Sequence, residues 1–108
     1  MTEDHTDRIR KLNDLARQTF TGCRVFITPG IQALDDVDAV LRAVQLFNEF
    51  TADNDPYGEH DFGAFHLGKV QVFWQFSYYD VDLQMHSPDA SDPAVTARVL
   101  TVMLAEEY

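Results

Sequence analysis

Basic side chains are scarce in this sequence. Eight Lys and Arg stand against eighteen Asp and Glu, a formal net charge of −10 at pH 7. A surface so poor in positive charge repels phosphates, which excludes direct nucleic-acid binding through a basic patch. Cysteine is nearly absent too. Cys23 is the one thiol, so no internal disulfide can form and the fold does not depend on oxidation. No apolar run approaches the ~20 residues of a membrane-spanning helix, so no membrane partner is expected. Met1-Thr2-Glu3-Asp4-His5 is polar and acidic, unlike a secretory leader. The cytoplasm is the expected compartment. A phosphate loop, a dinucleotide fingerprint and a serine nucleophile elbow are all missing, and no cofactor is expected.

What is present describes a globular chain. Hydrophobic residues make up 45% of the 108 positions and charged residues 24%, ordinary values that argue against disorder. The length suits one domain, residues 1–108, with a single core. The charge is unevenly spread. Residues 35–61 hold eight acids against one Arg, and residues 80–108 hold six acids against Arg98. Residues 1–34 and 62–79 are each close to balance. Two segments therefore carry the excess negative charge. Such a field suits a cationic partner, a metal ion or solubility alone.

Apolar spacing predicts a helix over 6–20, with Ile9, Leu12, Leu15, Ala16 and Phe20 on one face, Thr6 as N-cap and Gly22 as the stop. Val25, Phe26 and Ile27 form a short strand over 24–28, closed by a Pro29-Gly30 turn. A second helix over 35–50 is capped by Asp35 or Asp36. Residues 51–61 are a loop. A strand over 62–67 turns at Gly68-Lys69 into the strongest β signal, 70–79. There Val70, Val72, Trp74, Phe76 and Tyr78 face the core. A third strand with Leu83 and Met85 inward runs to about Ser87. Asp92 and Pro93 then open a last, heavily buried helix over 93–106. The fold class is α+β, in the order α-β-α-β-β-β-α: an antiparallel β-meander of three to four strands with about three helices packed on it. Whether strand 24–28 joins that sheet is open.

The densest polar cluster is the loop 53–61, with Asp53, Asp55, Glu59, Asp61 and His60. Hard cations favour oxygen ligands grouped this way, which makes Asp53, Asp55, Glu59 and Asp61 the metal candidates. Asp53, Asp55 and Gly58 fit the start of a calcium loop, but Tyr57 and Ala64 break the pattern. The favoured reading is a tight loop in which Asp and Asn side chains bond nearby backbone N–H groups and Gly58 and Gly63 supply unusual backbone angles. His60 is the best acid/base candidate, because Glu59 and Asp61 flank it in sequence. His66 and His86 could be cross-strand neighbours, and neither they nor His5 show metal spacing. Cys23 reads as a half-buried, inert thiol whose pKa Arg24 could lower slightly.

The string Asp53-Asn54-Asp55-Pro56-Tyr57-Gly58-Glu59-His60-Asp61-Phe62-Gly63 resembles the signature of a family of short uncharacterised bacterial proteins. Ile9-Arg10-Lys11-Leu12-Asn13-Asp14, Trp74, Tyr78-Tyr79-Asp80, Asp82-Leu83, Ser87-Pro88-Asp89 and the ending at 101–108 resemble it as well. Cys23 departs from the pattern, where a small residue such as Gly is usual. The resemblance implies no activity. It implies a context of plasmids, phages and other mobile elements. By analogy with small acidic proteins from such elements, it implies DNA mimicry or surface blocking against a host nucleic-acid-handling or defence complex, of the anti-CRISPR kind.

Three functions fit these residues. The first is a non-enzymatic module that binds a basic protein surface, such as one that normally holds nucleic acid. Its contact set is Asp53, Asp55, Tyr57, Glu59, His60, Asp61, Asp80 and Asp82, with no catalytic residue. The second is a small metal-dependent or acid/base enzyme built on the 53–61 loop, which requires its side chains to converge in a pocket. The third is a structural or oligomeric partner protein, favoured by exposed Phe73 or Tyr79 on the outer sheet face.

Overall fold

A computed structural model describes residues 4–108. Met1, Thr2 and Glu3, part of the segment compared with a secretory leader, lie outside the described residues. Helix α1 spans His5–Thr19. Asp4, not Thr6, is its N-cap, and its Oδ1 accepts from the Asp7 N–H at 2.8 Å. The helix ends at Phe20, which is left-handed at φ 54° and donates its N–H to the Ala16 carbonyl. The buried stripe runs through Ile9, Asn13, Ala16 and Arg17. Two polar residues thus occupy core positions, and Leu15, expected on the apolar face, is 58% exposed.

Strand β1 covers Arg24–Ile27. The Pro29-Gly30 turn is the first turn of a short helix, α2 (Pro29–Gln32), whose Ile31 is fully buried. Proline at the start of a helix costs no hydrogen bond, so a turn signal and a helix start are alike in sequence. Helix α3 spans Val37–Leu46, and Asp36 caps it by accepting from the Ala39 N–H at 3.0 Å. It stops before the expected Phe50. Arg17 draws off the last carbonyls, donating to Val44, Gln45 and Phe47 at 2.9, 3.2 and 2.8 Å. Phe47 then turns extended and packs edge-on to Trp74.

Strands β2 (Phe62–Leu67) and β3 (Val70–Tyr79) form the predicted hairpin. Val72, Trp74 and Phe76 are buried on its inner face, while Gln71 is exposed. The chain then departs from the sequence reading. Residues 83–87 make no strand. Leu83 and Met85 are exposed, and only Tyr79 and His86 form an isolated bridge. The Asp80 side chain accepts from the Gln84 N–H at 3.0 Å and closes a turn there, with Leu83 at φ 61°. The expected helix over 93–106 is likewise replaced. Asp92 and Pro93 start one 3-10 turn, Pro93–Val95, and strand β4 follows over Ala97–Leu104.

The physical reason lies in burial on two sides. Val99, Leu100, Val102 and Met103 are all buried, so this strand is apolar on both faces. An apolar run without alternation reads as an all-round buried helix or as a central strand, and periodicity alone does not separate them. The final sheet order is β1-β4-β3-β2. Strand β1 joins the sheet and runs parallel to β4, whereas β4-β3 and β3-β2 are antiparallel. The α+β class holds, with three helices and a mostly antiparallel four-stranded sheet. Helix residues Ala16, Ile31, Val40 and Val44 close one core against Val72, Trp74, Phe76, Leu100 and Val102. No described helix is long and apolar enough to cross a membrane.

Candidate functional site

The 53–61 loop is pinned between α1 and the end of β3. Thr51 and Asn54 open it with reciprocal bonds, the Thr51 N–H to Asn54 Oδ1 at 2.8 Å and the Asn54 N–H to Thr51 Oγ1 at 3.3 Å. Asp55 Oδ1 accepts from the His60 N–H at 3.0 Å. This is the side chain to backbone closure expected of an Asp in a tight loop. Gly58 is left-handed at φ 69°, as predicted, and its carbonyl accepts from Arg10 Nη1 at 3.0 Å. His60 is left-handed too, at φ 54°. Gly63 serves another purpose than the predicted unusual angle. It is a strand residue paired with Trp74, and a Cβ there would lie inside contact distance of the indole.

His60 does not pair with its sequence neighbours Glu59 and Asp61. Its Nδ1 lies 2.8 Å from Asp14 Oδ1 on α1, and its Nε2 lies 3.5 Å from Asp55 Oδ2. The ring stacks flat on Phe50 at 3.6 Å, and Arg17 sits over Phe50 and Trp74 at 5.5 and 5.1 Å. Burial lowers the Arg17 pKa, and Asp14 beside it raises it.

A second knot surrounds Asn13, which is fully buried. Its Nδ2 donates to the Glu59 carbonyl at 3.0 Å and to Tyr78 Oη at 2.8 Å, and its Oδ1 accepts from Arg98 Nε at 2.7 Å. Tyr78 in turn donates to Glu59 Oε1 at 3.0 Å, and the Arg98 guanidinium lies 5.2 Å over the Tyr78 ring. Burial pushes the Glu59 carboxyl above its ordinary range, opposed by the Tyr78 hydrogen bond and reinforced by Asp61 and Asp55. Burial raises Asp61 likewise, against the hydrogen bond from its own backbone. The Tyr78 hydroxyl is held well above its usual value, chiefly by burial. The proton of this knot therefore stays on the tyrosine at neutral pH.

The structure splits the eight predicted contact residues. Asp55, Glu59, His60 and Asp61 turn inward or lie half-buried in these knots. Asp53 and Tyr57 stand outward, Tyr57 at 78% exposure. Asp80 and Asp82 sit elsewhere, in the turn beyond β3, where Asp80 closes the turn and Asp82 is exposed. Sequence reasoning missed Asn13, Asp14, Arg17, Tyr78 and Arg98. The available signal was polar residues on the apolar stripe of α1: positions 13 and 17 lie four apart, on the helix face of Ile9.

Chemically, the arrangement holds a loop. Both imidazole nitrogens of His60 face carboxylates, so neither is turned to a substrate. Among the described residues, no group of three or more His, Cys, Asp or Glu is placed to hold a metal ion. A cleft of about 380 Å³ is lined by Leu34, Val70, Leu104 and Glu106, and one of about 420 Å³ by Gln18, Arg42 and Leu46, and neither touches the loop. His66 pairs with Gln71 and His86 with Tyr79, so the two are not cross-strand neighbours. Cys23 is half-buried, its thiol pushed up by burial, and the arginine that pulls it down is Arg98 rather than Arg24.

A family profile described as "Protein of unknown function (DUF3768)" matches residues 27–107. No curated protein and no solved structure matches the chain. The matched span includes the loop, β2, β3 and β4, while α1, which contributes Asn13, Asp14 and Arg17, precedes it.

Proposed function

The chain belongs to the DUF3768 family, and from that premise we propose that it is a non-catalytic module that binds a basic protein surface. The observation that carries this reading is the division of the carboxylates. Asp55, Glu59 and Asp61 are drawn into the fold, while Asp38, Glu49, Asp53 and Asp82 stand exposed on the two segments that hold the excess charge. Tyr57, 78% exposed at the tip of the rigid loop, adds an aromatic anchor of the kind that dominates protein interfaces. A partner surface that normally holds nucleic acid has the complementary charge. Inhibition of a host nucleic-acid-handling or defence complex is the form of the proposal that the sequence resemblance suggests. The acid/base alternative has less support, since both His60 ring nitrogens face carboxylates and neither of the two clefts named above is lined by the loop.

The test starts with affinity purification from the native host and identification of what co-purifies. Binding of that partner is then measured for a variant with Asp38→Asn, Glu49→Gln, Asp53→Asn and Asp82→Asn. The reading expects wild-type binding to weaken with salt, because the Debye length shrinks from ~10 Å at 0.1 M to ~3 Å at 1 M. It expects the variant to bind far more weakly with its circular dichroism unchanged. Binding indifferent to both salt and the amides would assign the acidity to solubility alone.

A further inference from the structure

Between Tyr79, the last residue of β3, and His86 the chain makes a closed finger. Its base is the Tyr79–His86 bridge, with the Asp80 N–H donating to the Met85 carbonyl at 2.8 Å and the Ser87 N–H to the Tyr78 carbonyl at 3.1 Å. Within it, the Leu83 N–H donates to the Asp80 carbonyl at 2.9 Å and the Gln84 N–H to Asp80 Oδ1 at 3.0 Å. Residues 81–86 are all exposed. What this hydrogen-bonded frame turns to solvent is largely apolar: Val81 is 60%, Leu83 40% and Met85 71% exposed, beside Tyr79 at 37%. Single exposed apolar residues are ordinary, but four within seven positions mark a surface that is used. Leu83 is a second, independent sign. It sits at φ 61°, in the left-handed region where glycine is the usual residue. A leucine kept there without full burial serves the fold poorly, and such outliers gather at functional surfaces.

We infer that this finger is the apolar anchor of the partner contact and takes a basic amphipathic segment, with Lys or Arg on one side and Leu-like side chains on the other; the inference rests on the reading of the chain as a binder of basic surfaces. Charge selects the occupant. The finger and the 53–61 loop leave the same end of the sheet, since β2 begins opposite Gln75 and β3 ends opposite Ala97, where β4 begins. Residues 51–61 and 80–96 together hold eight carboxylates and no Lys or Arg. On α1, Arg10 reaches the loop but is bound to Asp7 and the Gly58 carbonyl, and the exposed Arg8 and Lys11 are outnumbered. A second copy would set the same carboxylates against these and is repelled. A purely apolar partner gains nothing from Asp82, which stands exposed between Val81 and Leu83 in the chain. A basic amphipathic segment meets both characters: its apolar side covers Val81, Leu83 and Met85, and its cations meet Asp82. The unbranched Met85 side chain adapts to whichever apolar groups it meets.

The test is fluorescence anisotropy of the full chain with two labelled synthetic peptides of equal length and charge. One carries Leu and Lys in an amphipathic helical pattern, and the other has every Leu replaced by Ser. Salt should weaken the binding of both. The Leu/Lys peptide should bind about tenfold more tightly or better, because it alone buries apolar surface on the finger. Leu83→Gly should remove that advantage. Glycine accepts the left-handed backbone, so the variant keeps its turn and its circular dichroism. Met85→Ser, which leaves every backbone bond of the finger in place, should reduce the advantage as well. Leu46→Ser on α3, at a leucine 72% exposed away from the finger, should leave both affinities unchanged. Equal binding of the two peptides would overturn the inference and leave the charge reading standing, as would an advantage that survives Leu83→Gly and Met85→Ser. Binding of neither peptide would overturn the inference together with the charge reading.

Discussion

At the scale of single residues, the fold rests on polar side chains placed where apolar ones are usual. Asn13 is the clearest. It satisfies the Glu59 carbonyl, Tyr78 and Arg98 at once. Asn13→Ala would leave a buried guanidinium and a buried hydroxyl short of partners, at a cost of about 3 kcal/mol. Urea denaturation should show that loss, and a midpoint within error of wild type would contradict it. Gly63 is a second such position. Gly63→Ala drives a methyl into the Trp74 indole and should cost about 1–3 kcal/mol, read from the same transition. The raised Glu59 carboxyl supplies a pH test. Its folded pKa exceeds its unfolded value of 4.5. The folded state therefore holds that proton more tightly, and stability is lost as pH rises from the unfolded value through the folded one. Asp89 and Glu107 are shifted down, so they act in the opposite sense on the acid side, losing stability as pH falls. Glu59→Gln removes the first contribution alone while keeping an acceptor for Tyr78. The variant should gain on wild type as pH rises from mildly acidic to neutral. A variant less stable at neutral pH would show that the Tyr78 and Arg98 contacts outweigh burial.

At the scale of elements, the legible parts were those with a clean period. The β2-β3 hairpin was readable because Val72, Trp74 and Phe76 alternate with polar or outward residues and Gly68-Lys69 is a two-residue turn. Helix α1 was readable in extent but not in detail, since the cap is Asp4 and the buried stripe includes Asn13 and Arg17. The last strand was not legible. Val99–Met103 is buried on both sides, which erases the alternation that marks a half-exposed strand. The loop was readable as rigid, from Asp55 and Gly58, but its clamps come from residues 40 or more positions away, such as Asn13 and Asp14. No local pattern encodes such contacts. The central place of β4, paired on both sides by β1 and β3, sets an expectation for dynamics. Its amides at Leu100–Val102 should exchange slowest, near the global unfolding limit, while the short α2 exchanges faster. Hydrogen exchange that ranked the C-terminal segment with the loops would contradict the strand.

At the scale of the whole molecule, the carboxylates are divided. Asp55, Glu59 and Asp61 are drawn toward the interior, Asp4 and Asp36 cap helices from exposed positions, and Asp38, Glu49, Asp53 and Asp82 stand outside. The central claim is that the outward carboxylates, not the inward ones, meet the partner. The most direct measurement compares partner binding by the variant carrying Asp38→Asn, Glu49→Gln, Asp53→Asn and Asp82→Asn with binding by the Glu59→Gln variant, at matched circular dichroism. The account predicts that the outward set loses the partner while Glu59→Gln retains it. Retained binding in the outward set, with loss in Glu59→Gln, would place the function in the inner cluster and contradict the account.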